Sequence, residues 1–192
     1  MTRLIFSFLL VGLVAACGST TTFTRADGSQ ATARVYRPDS ESRVQLRMVE
    51  AVNTLRQASG VGPVQLNSQL NAAAATHARD MAVQNRPWHF GSDGSSPLDR
   101  VRRVGYGGLM LGEAISETFE TELETLAAWM EEDGTRAVIL DGSARDMGFS
   151  YTQEANGKLW YTLVMGGAGV TPVATPFPEF DVTNARAIEP QG

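Results

Sequence analysis

Asn156-Gly157 restricts the fold of this chain more than any other feature. It joins two β-rich runs in "MGFSYTQEANGKLWYTLVMGG", and an Asn-Gly pair suits a two-residue type I′ turn, whose central residues both take positive φ. Such a turn lays the two runs side by side as an antiparallel hairpin. It also sets a register: Gln153 opposite Trp160, Tyr151 opposite Thr162 and Phe149 opposite Val164. A third strand is expected from around Leu109 to Ser116.

Upstream the apolar period becomes helical. Val44, Met48, Val52 and Leu55 recur at helical spacing and end near Gly60, which describes an amphipathic helix beginning around Ser42. After "GVGP" a second helix is expected from about Asn67 to Gln84, with Leu70, Ala73, Ala74, His77 and Met81 on its buried stripe. "SPLDRVRRVG" supplies Ser96 as a cap, Pro97 at the first helical position, Asp99 in the first turn and Gly105 as a stop, so a short third helix follows. A fourth is expected from about Thr118 to Glu132, with Phe119, Leu123, Leu126 and Met130 on one face and with Glu120 and Glu122 near its positive dipole end. Helices that precede and flank a small antiparallel sheet make an α+β domain. There is no internal repeat.

The start of the chain carries Arg3, an apolar run from Leu4 to Val14, and small residues before Cys17. That run is too short for a bilayer crossing of roughly 20 residues, so residues 1–16 read as an export signal. "LVAAC" resembles a lipobox, in which Cys17 becomes the diacylated first residue after cleavage; an ordinary cleaved signal with an incidental cysteine is the alternative. Acyl chains hold a protein to a lipid bilayer by roughly 0.8 kcal/mol per buried methylene. Residues 17–41 then form a polar linker, in which "TARVYR" is a candidate short strand. The folded domain is placed at 42–168, and the Pro-rich stretch 169–192 is read as a loosely packed tail.

Cys17 is the only cysteine, so no disulfide forms within the chain and the domain must bury a core unaided. With 16 basic residues against 21 acidic, a net charge of −5 and no basic cluster, nucleic acid is excluded as an expected partner. Lys158 is the only lysine. General enzyme motifs are missing. Gly105, Gly107, Gly108 and Gly112 have no Gly-Lys-Ser/Thr after them, "SDGSS" and "DGSARD" lack the ligand pattern of a calcium loop, and neither G-x-S-x-G nor H-E-x-x-H occurs.

There are two histidines. His77 falls among apolar neighbours on its helix and is read as a packed, hydrogen-bonded core residue. His89 lies in the loop "RPWHFGSDGSS". Trp129 and Trp160 are expected in the core, whereas Trp88, beside His89, is the candidate wall of a cleft.

Taken in order, "AVNTLRQASGVGPVQLNSQLNAAAATHARDMA", the histidine at 89, "RVGYGGLMLGEAI", "WMEEDGTRAVIL", "DMGFSY" and "WYTLVMG" resemble the bacterial branch of the CAP superfamily, the SCP-like extracellular domain, from Val44 to Gly167. The resemblance implies an α-β-α sandwich around a small antiparallel sheet. It also implies a cleft that gathers a histidine, a glutamate from "G-E-N-I", a second histidine from "S-P-G-H-R-x-N-I-L" and, in some branches, another glutamate. On this chain those positions are His89, Glu113, Thr135 and Glu132, with Thr135 standing where the second histidine belongs. Gly134, Arg136, Ile139 and Leu140 keep the pattern, while Ala114 and Val138 replace its two asparagines.

Zinc takes three or four protein ligands, and His89 with Glu113 supplies two unless Glu132 joins. Two readings stand. In one, His89 and Glu113 are a hydrogen-bonded pair in a degenerate site, the domain has no cofactor, and the protein is a membrane-anchored, non-enzymatic binding or envelope-associated module for a small hydrophobic ligand or an envelope protein. In the other, the three side chains form a zinc-dependent hydrolase. Gly18 after the acylated cysteine suits sorting to the outer membrane of a two-membrane bacterium, facing the periplasm or the cell surface.

Overall fold

The computed structural model describes residues 20–24, 30–34, 36–118 and 120–169. Residues 1–16, expected to be an export signal, Cys17, Phe119 and the stretch from residue 170 onward lie outside the described residues. Near the start, β1 (Thr20–Thr24) and β2 (Gln30–Arg34) pair antiparallel as a sheet of their own, so strand takes in only the first part of "TARVYR". The domain then runs α1 (Glu41–Ala58), β3 (Gln65–Leu66), α2 (Ser68–Gln84), α3 (Pro97–Arg103), β4 (Leu109–Thr118), α4 (Glu122–Glu131), α5 (Asp133–Ile139), β5 (Ala144–Gln153) and β6 (Leu159–Gly167).

Strand order is β3-β5-β6-β4, which puts β6 inside the sheet. Every residue of β6 is buried, as its nearly unbroken apolar run requires of a strand covered on both faces. Successive side chains point to opposite faces, and two apolar clusters follow from that alternation. Leu159, Tyr161, Leu163 and Met165 join α1, α4 and α5 through Val44, Met48, Leu126, Trp129 and Ile139. Val164 meets Leu70, Ala73 and Ala74 of α2 and Val101 of α3. The result is the α-β-α sandwich of an α+β domain. The sheet is mixed, however, and not antiparallel throughout: β3 runs parallel to β5, pairing Gln65 with Asp146 and Leu66 with Met147. Two residues are too few to display a period, which is why the apolar pattern gives no sign of β3.

Local chemistry fixes most helix ends. Asn67 caps α2 by accepting from the backbone N–H groups of Gln69 and Leu70, and Asn85 ends it in the left-handed conformation at φ 50°. Ser96 and Asp99 form a reciprocal capping box on α3. On α1 the stripe of Val44, Met48 and Val52 continues at the fully buried Arg56, while Leu55 is half-buried. Arg56 donates to four carbonyls, those of Gly62, Ile139, Asp141 and Ala144, and so ties the end of α1 to the α5–β5 junction.

Three sequence expectations need correction. The fourth helix starts at Glu122 and not near Thr118, because Thr121 makes a capping box with Glu124 while Thr118 still pairs with Leu159 in the sheet. Its inward face is Glu122, Thr125, Leu126 and Trp129, and Leu123 is exposed. Glu122 can face inward because Tyr36 Oη–H (2.6 Å) and Arg47 Nε–H (2.8 Å) donate to its carboxylate. Second, the helix is interrupted at Glu132, whose backbone angles lie in the β region, and an additional helix, α5, follows.

The third correction concerns the hairpin. Observed pairs are Gln153 with Leu159, Tyr151 with Tyr161 and Phe149 with Leu163, one residue away from the expected register. Gly157 N–H donates to Glu154 O (2.9 Å), Glu154 N–H donates to Lys158 O (2.8 Å), and only Gly157 in the loop has positive φ, at 94°. This is a longer loop closed by a glycine in the left-handed region, so one residue more separates the strands than a type I′ turn would place there.

Candidate functional site

Glu113 projects from β4, opposite Val164 of β6, on the sheet face covered by α2 and α3. Its carboxylate is buried and does not stand alone. Arg100 of α3 donates from one terminal nitrogen to both oxygens, at 2.9 and 2.8 Å, and His89 Nδ1 lies 2.9 Å from Oε1. Because the carboxylate accepts, His89 donates from Nδ1, and Nε2 lies on the other edge of a ring that is half-exposed. Sequence reading thus placed the His89–Glu113 pair but missed Arg100. One signal was present: Arg100 lies in register with Pro97, Val101 and Val104 on the inward side of a short helix, where a charge requires a partner.

His77, fully buried on α2, completes the cluster. Its Nε2–H donates to the Trp88 carbonyl at 3.0 Å and stands 3.7 Å from Glu113 Oε1, while Nδ1 has no hydrogen-bond partner among the described residues. Burial holds the His77 ring below its ordinary pKa, outweighing the opposite pull of Glu113, so it is a neutral imidazole at pH 7. The reading of His77 as a core residue matches this placement.

The loop carrying His89 is strapped at several points. Arg100 donates from its other terminal nitrogen to His89 O (2.9 Å), and Gln84 Nε2–H donates to Phe90 O (3.3 Å). Asp80 accepts from Ser92 N–H at 2.7 Å. Trp88 is half-buried, its indole N–H bonded to Gln84 Oε1 at 2.8 Å and its ring stacked under Arg86. Side chains from α2 and α3 therefore set the position of the imidazole.

The remaining candidates lie elsewhere in hydrogen-bond terms. Thr135 Oγ–H donates to Trp129 O at 2.5 Å, closing the last turn of α4. Glu132 is exposed at the α4–α5 joint and makes no side-chain cap bond. Ala114 is fully buried in the large core cluster, and the methyl groups of Val138 cover Gly112, where a Cβ would collide with them. Both asparagine positions of the pattern are thus filled by apolar packing.

The profile of CAP, the cysteine-rich secretory protein family, matches residues 49–165. The chain belongs to the CAP family. Over 129 residues it is 30% identical to an uncharacterized protein, YkwD, of Bacillus subtilis (strain 168), covering 67% of this chain and 49% of that one. This CAP chain therefore spans about half the length of that curated relative. Among solved structures, an outer surface protein from Borrelia burgdorferi is similar at a TM-score of 0.61 and 13% identity, over 69% of this chain and 98% of that one. An extracellular protein containing a SCP domain from Bacillus anthracis str. Ames is similar at a TM-score of 0.62 and 19% identity, over 73% of this chain and 47% of that one. At such identities the likeness concerns the fold.

Within this CAP domain the donor set does not suit a resident zinc ion. Both oxygens of Glu113 already accept from a guanidinium at 2.8–2.9 Å, whose positive charge opposes a divalent cation at the same carboxylate. Among the described residues no group of three or more His, Cys, Asp or Glu side chains is arranged to hold a metal, so Glu132 is not brought to the pair. What the arrangement offers chemically is an imidazole oriented by a carboxylate.

Proposed function

We propose that this protein is an exported, lipid-anchored CAP domain that acts as a non-enzymatic binding or envelope-associated module. The observation that carries the reading is the engagement of Glu113: buried, bonded twice by Arg100 and once by His89, it has its charge met and three hydrogen bonds made from within the fold. A buried carboxylate neutralised in this way holds a loop in place and is spared for neither a cation nor a proton relay. Export and anchoring are supported by the apolar leader ahead of Cys17 and by similarity to proteins described as an outer surface protein and an extracellular protein. In a two-membrane bacterium Gly18 directs the acylated chain to the outer membrane, facing the periplasm or cell surface. The partners proposed are the bilayer, through Cys17, and a small hydrophobic ligand or an envelope protein.

Zinc titration of the purified chain, beside a His89→Ala control, tests the reading. The expected result is no stoichiometric uptake by either protein; uptake by the parent chain that the substitution abolishes would overturn it. The second reading, hydrolysis, draws on the half-exposed His89 ring, which a carboxylate orients through Nδ1 as an orienting acid does for a general base. Substrate turnover abolished by His89→Ala would favour it.

A further inference from the structure

The polar linker ahead of the domain is clasped to it at its end. Tyr36 packs against the large core cluster, on the side of the sheet covered by α1 and α4. Its Oη–H donates to Glu122 of α4 (2.6 Å), and its carbonyl accepts from Gln153 Nε2–H of β5 (2.7 Å). Asp39 then accepts from Arg47 of α1 through its carboxylate (2.6 Å) and from Tyr151 Oη–H of β5 through its carbonyl (3.0 Å). Side chains from a strand and two helices thus fix the point at which the linker meets the domain.

Before it reaches that clasp the linker folds back on itself. β1 and β2 pair with Thr20 opposite Arg34, so all the chain between those two residues adds only one strand spacing, roughly 5 Å, to the linker's reach. Beyond the pair, Cys17 is three residues from Thr20 and Tyr36 is two from Arg34. At roughly 3.3–3.6 Å per residue, Cys17 therefore lies within about 25 Å of Tyr36. Fully extended, the same stretch would span roughly 60–70 Å.

We propose that the hairpin and the clasp form a short leash that seats the domain on the bilayer by its α1–α4 layer and turns the α2–α3 face outward. The inference rests on the lipid anchor at Cys17 proposed above. A sheet with a helix layer on each side is about 30 Å thick, so a leash of this reach draws down the layer that holds Tyr36 and keeps the opposite face off the membrane. Leu46 and Leu123 adjoin the clasp residues Arg47 and Glu122 in sequence, and at 54% and 44% exposure they are the large apolar side chains this layer offers to the headgroup region. The outward face carries the half-exposed His89 and a cavity of about 440 Å³ between α2 and α3. Whatever the module binds on that face reaches it from the side away from the lipid.

Energy transfer to the membrane surface tests it. Cys17 is the only cysteine and acylation consumes it, so a cysteine introduced on the surface is the one free thiol of the acylated chain. Leu123→Cys on α4 and Val83→Cys on α2, both at exposed positions, are labelled with a fluorescent maleimide and reconstituted with phosphatidylcholine vesicles that carry a headgroup-labelled acceptor lipid. Neutral lipid leaves the orientation to the leash and not to surface charge. Transfer should be several-fold more efficient from position 123 than from position 83. Adding Thr21→Pro with Thr22→Pro removes a ladder donor of β1, since one of two successive N–H groups faces the partner strand. That lengthens the leash without touching the domain and should bring the two efficiencies together. Equal transfer from the two positions without the prolines, or a difference that survives them, overturns the leash and leaves the anchor standing. Chains that fail to partition with the vesicles overturn the anchor and the leash together.

Discussion

Arg100 and Glu113 are each buried, and each is the other's counter-ion. Removing one member leaves an uncompensated charge in a low-dielectric interior, so Arg100→Met should cost about 3–5 kcal/mol in urea denaturation. Combining it with Glu113→Leu should restore much of the loss, since the orphaned carboxylate is then gone; a double substitution as unstable as the single one would contradict this account. His77 makes a second residue-scale prediction. Its folded pKa lies below the unfolded value of about 6.5, with Glu113, Arg100 and Asp80 as the charged groups around it. The unfolded chain therefore binds the extra proton first. Stability contributed by the neutral ring is complete above pH 6.5 and is lost as the pH falls below it. Melting temperatures measured downward from neutral pH should show this decline above the carboxylate range, and a His77→Gln chain should lack it. Of this cluster, His89 and Glu113 were legible in the sequence through their resemblance to a family pattern. Arg100 was not, because nothing in a seven-residue helix tells which carboxylate, 13 residues further on, its guanidinium will meet.

At the scale of elements, α2 lies on β5 with almost no gap. A Cβ at Gly148 would collide with the backbone carbonyl carbon and oxygen of Leu70, so a side chain there must push a helix away from a strand. Gly148→Ala should accordingly destabilise the chain by roughly 1–3 kcal/mol or more, read as a lowered urea midpoint, because backbone cannot yield as the end of a flexible side chain can. The first three helices were legible because their signals are local: apolar spacing, an Asn or Ser cap, a stop at Gly60 or Gly105. The fourth was misplaced by its face. Leu123 looked inward by hydrophobicity, but the helix presents Glu122 and Thr125 inward, where Tyr36 and Arg47 satisfy the carboxylate of Glu122. The two partners lie 86 and 75 residues away in the chain.

For the whole molecule, the sandwich places the Glu113 cluster, its strapped loop and the cavity beside it all on the α2–α3 face of the sheet, while the larger core lies on the other. If the protein works at a membrane, Cys17→Ser should move it from the membrane fraction to the soluble fraction without changing its melting temperature; retention in the membrane fraction would oppose the anchor. The sequence by itself determined the helical and strand periods, most helix ends and the existence of the hairpin, because those depend on backbone preferences and on neighbours within a turn or two. Only the tertiary structure decided the hairpin register, the parallel strand β3, the inward face of α4 and the joining of Arg100 and His77 to the His89–Glu113 pair. Each of these is a choice between contacts of comparable local quality, and it is settled by which distant surface is there to receive a side chain.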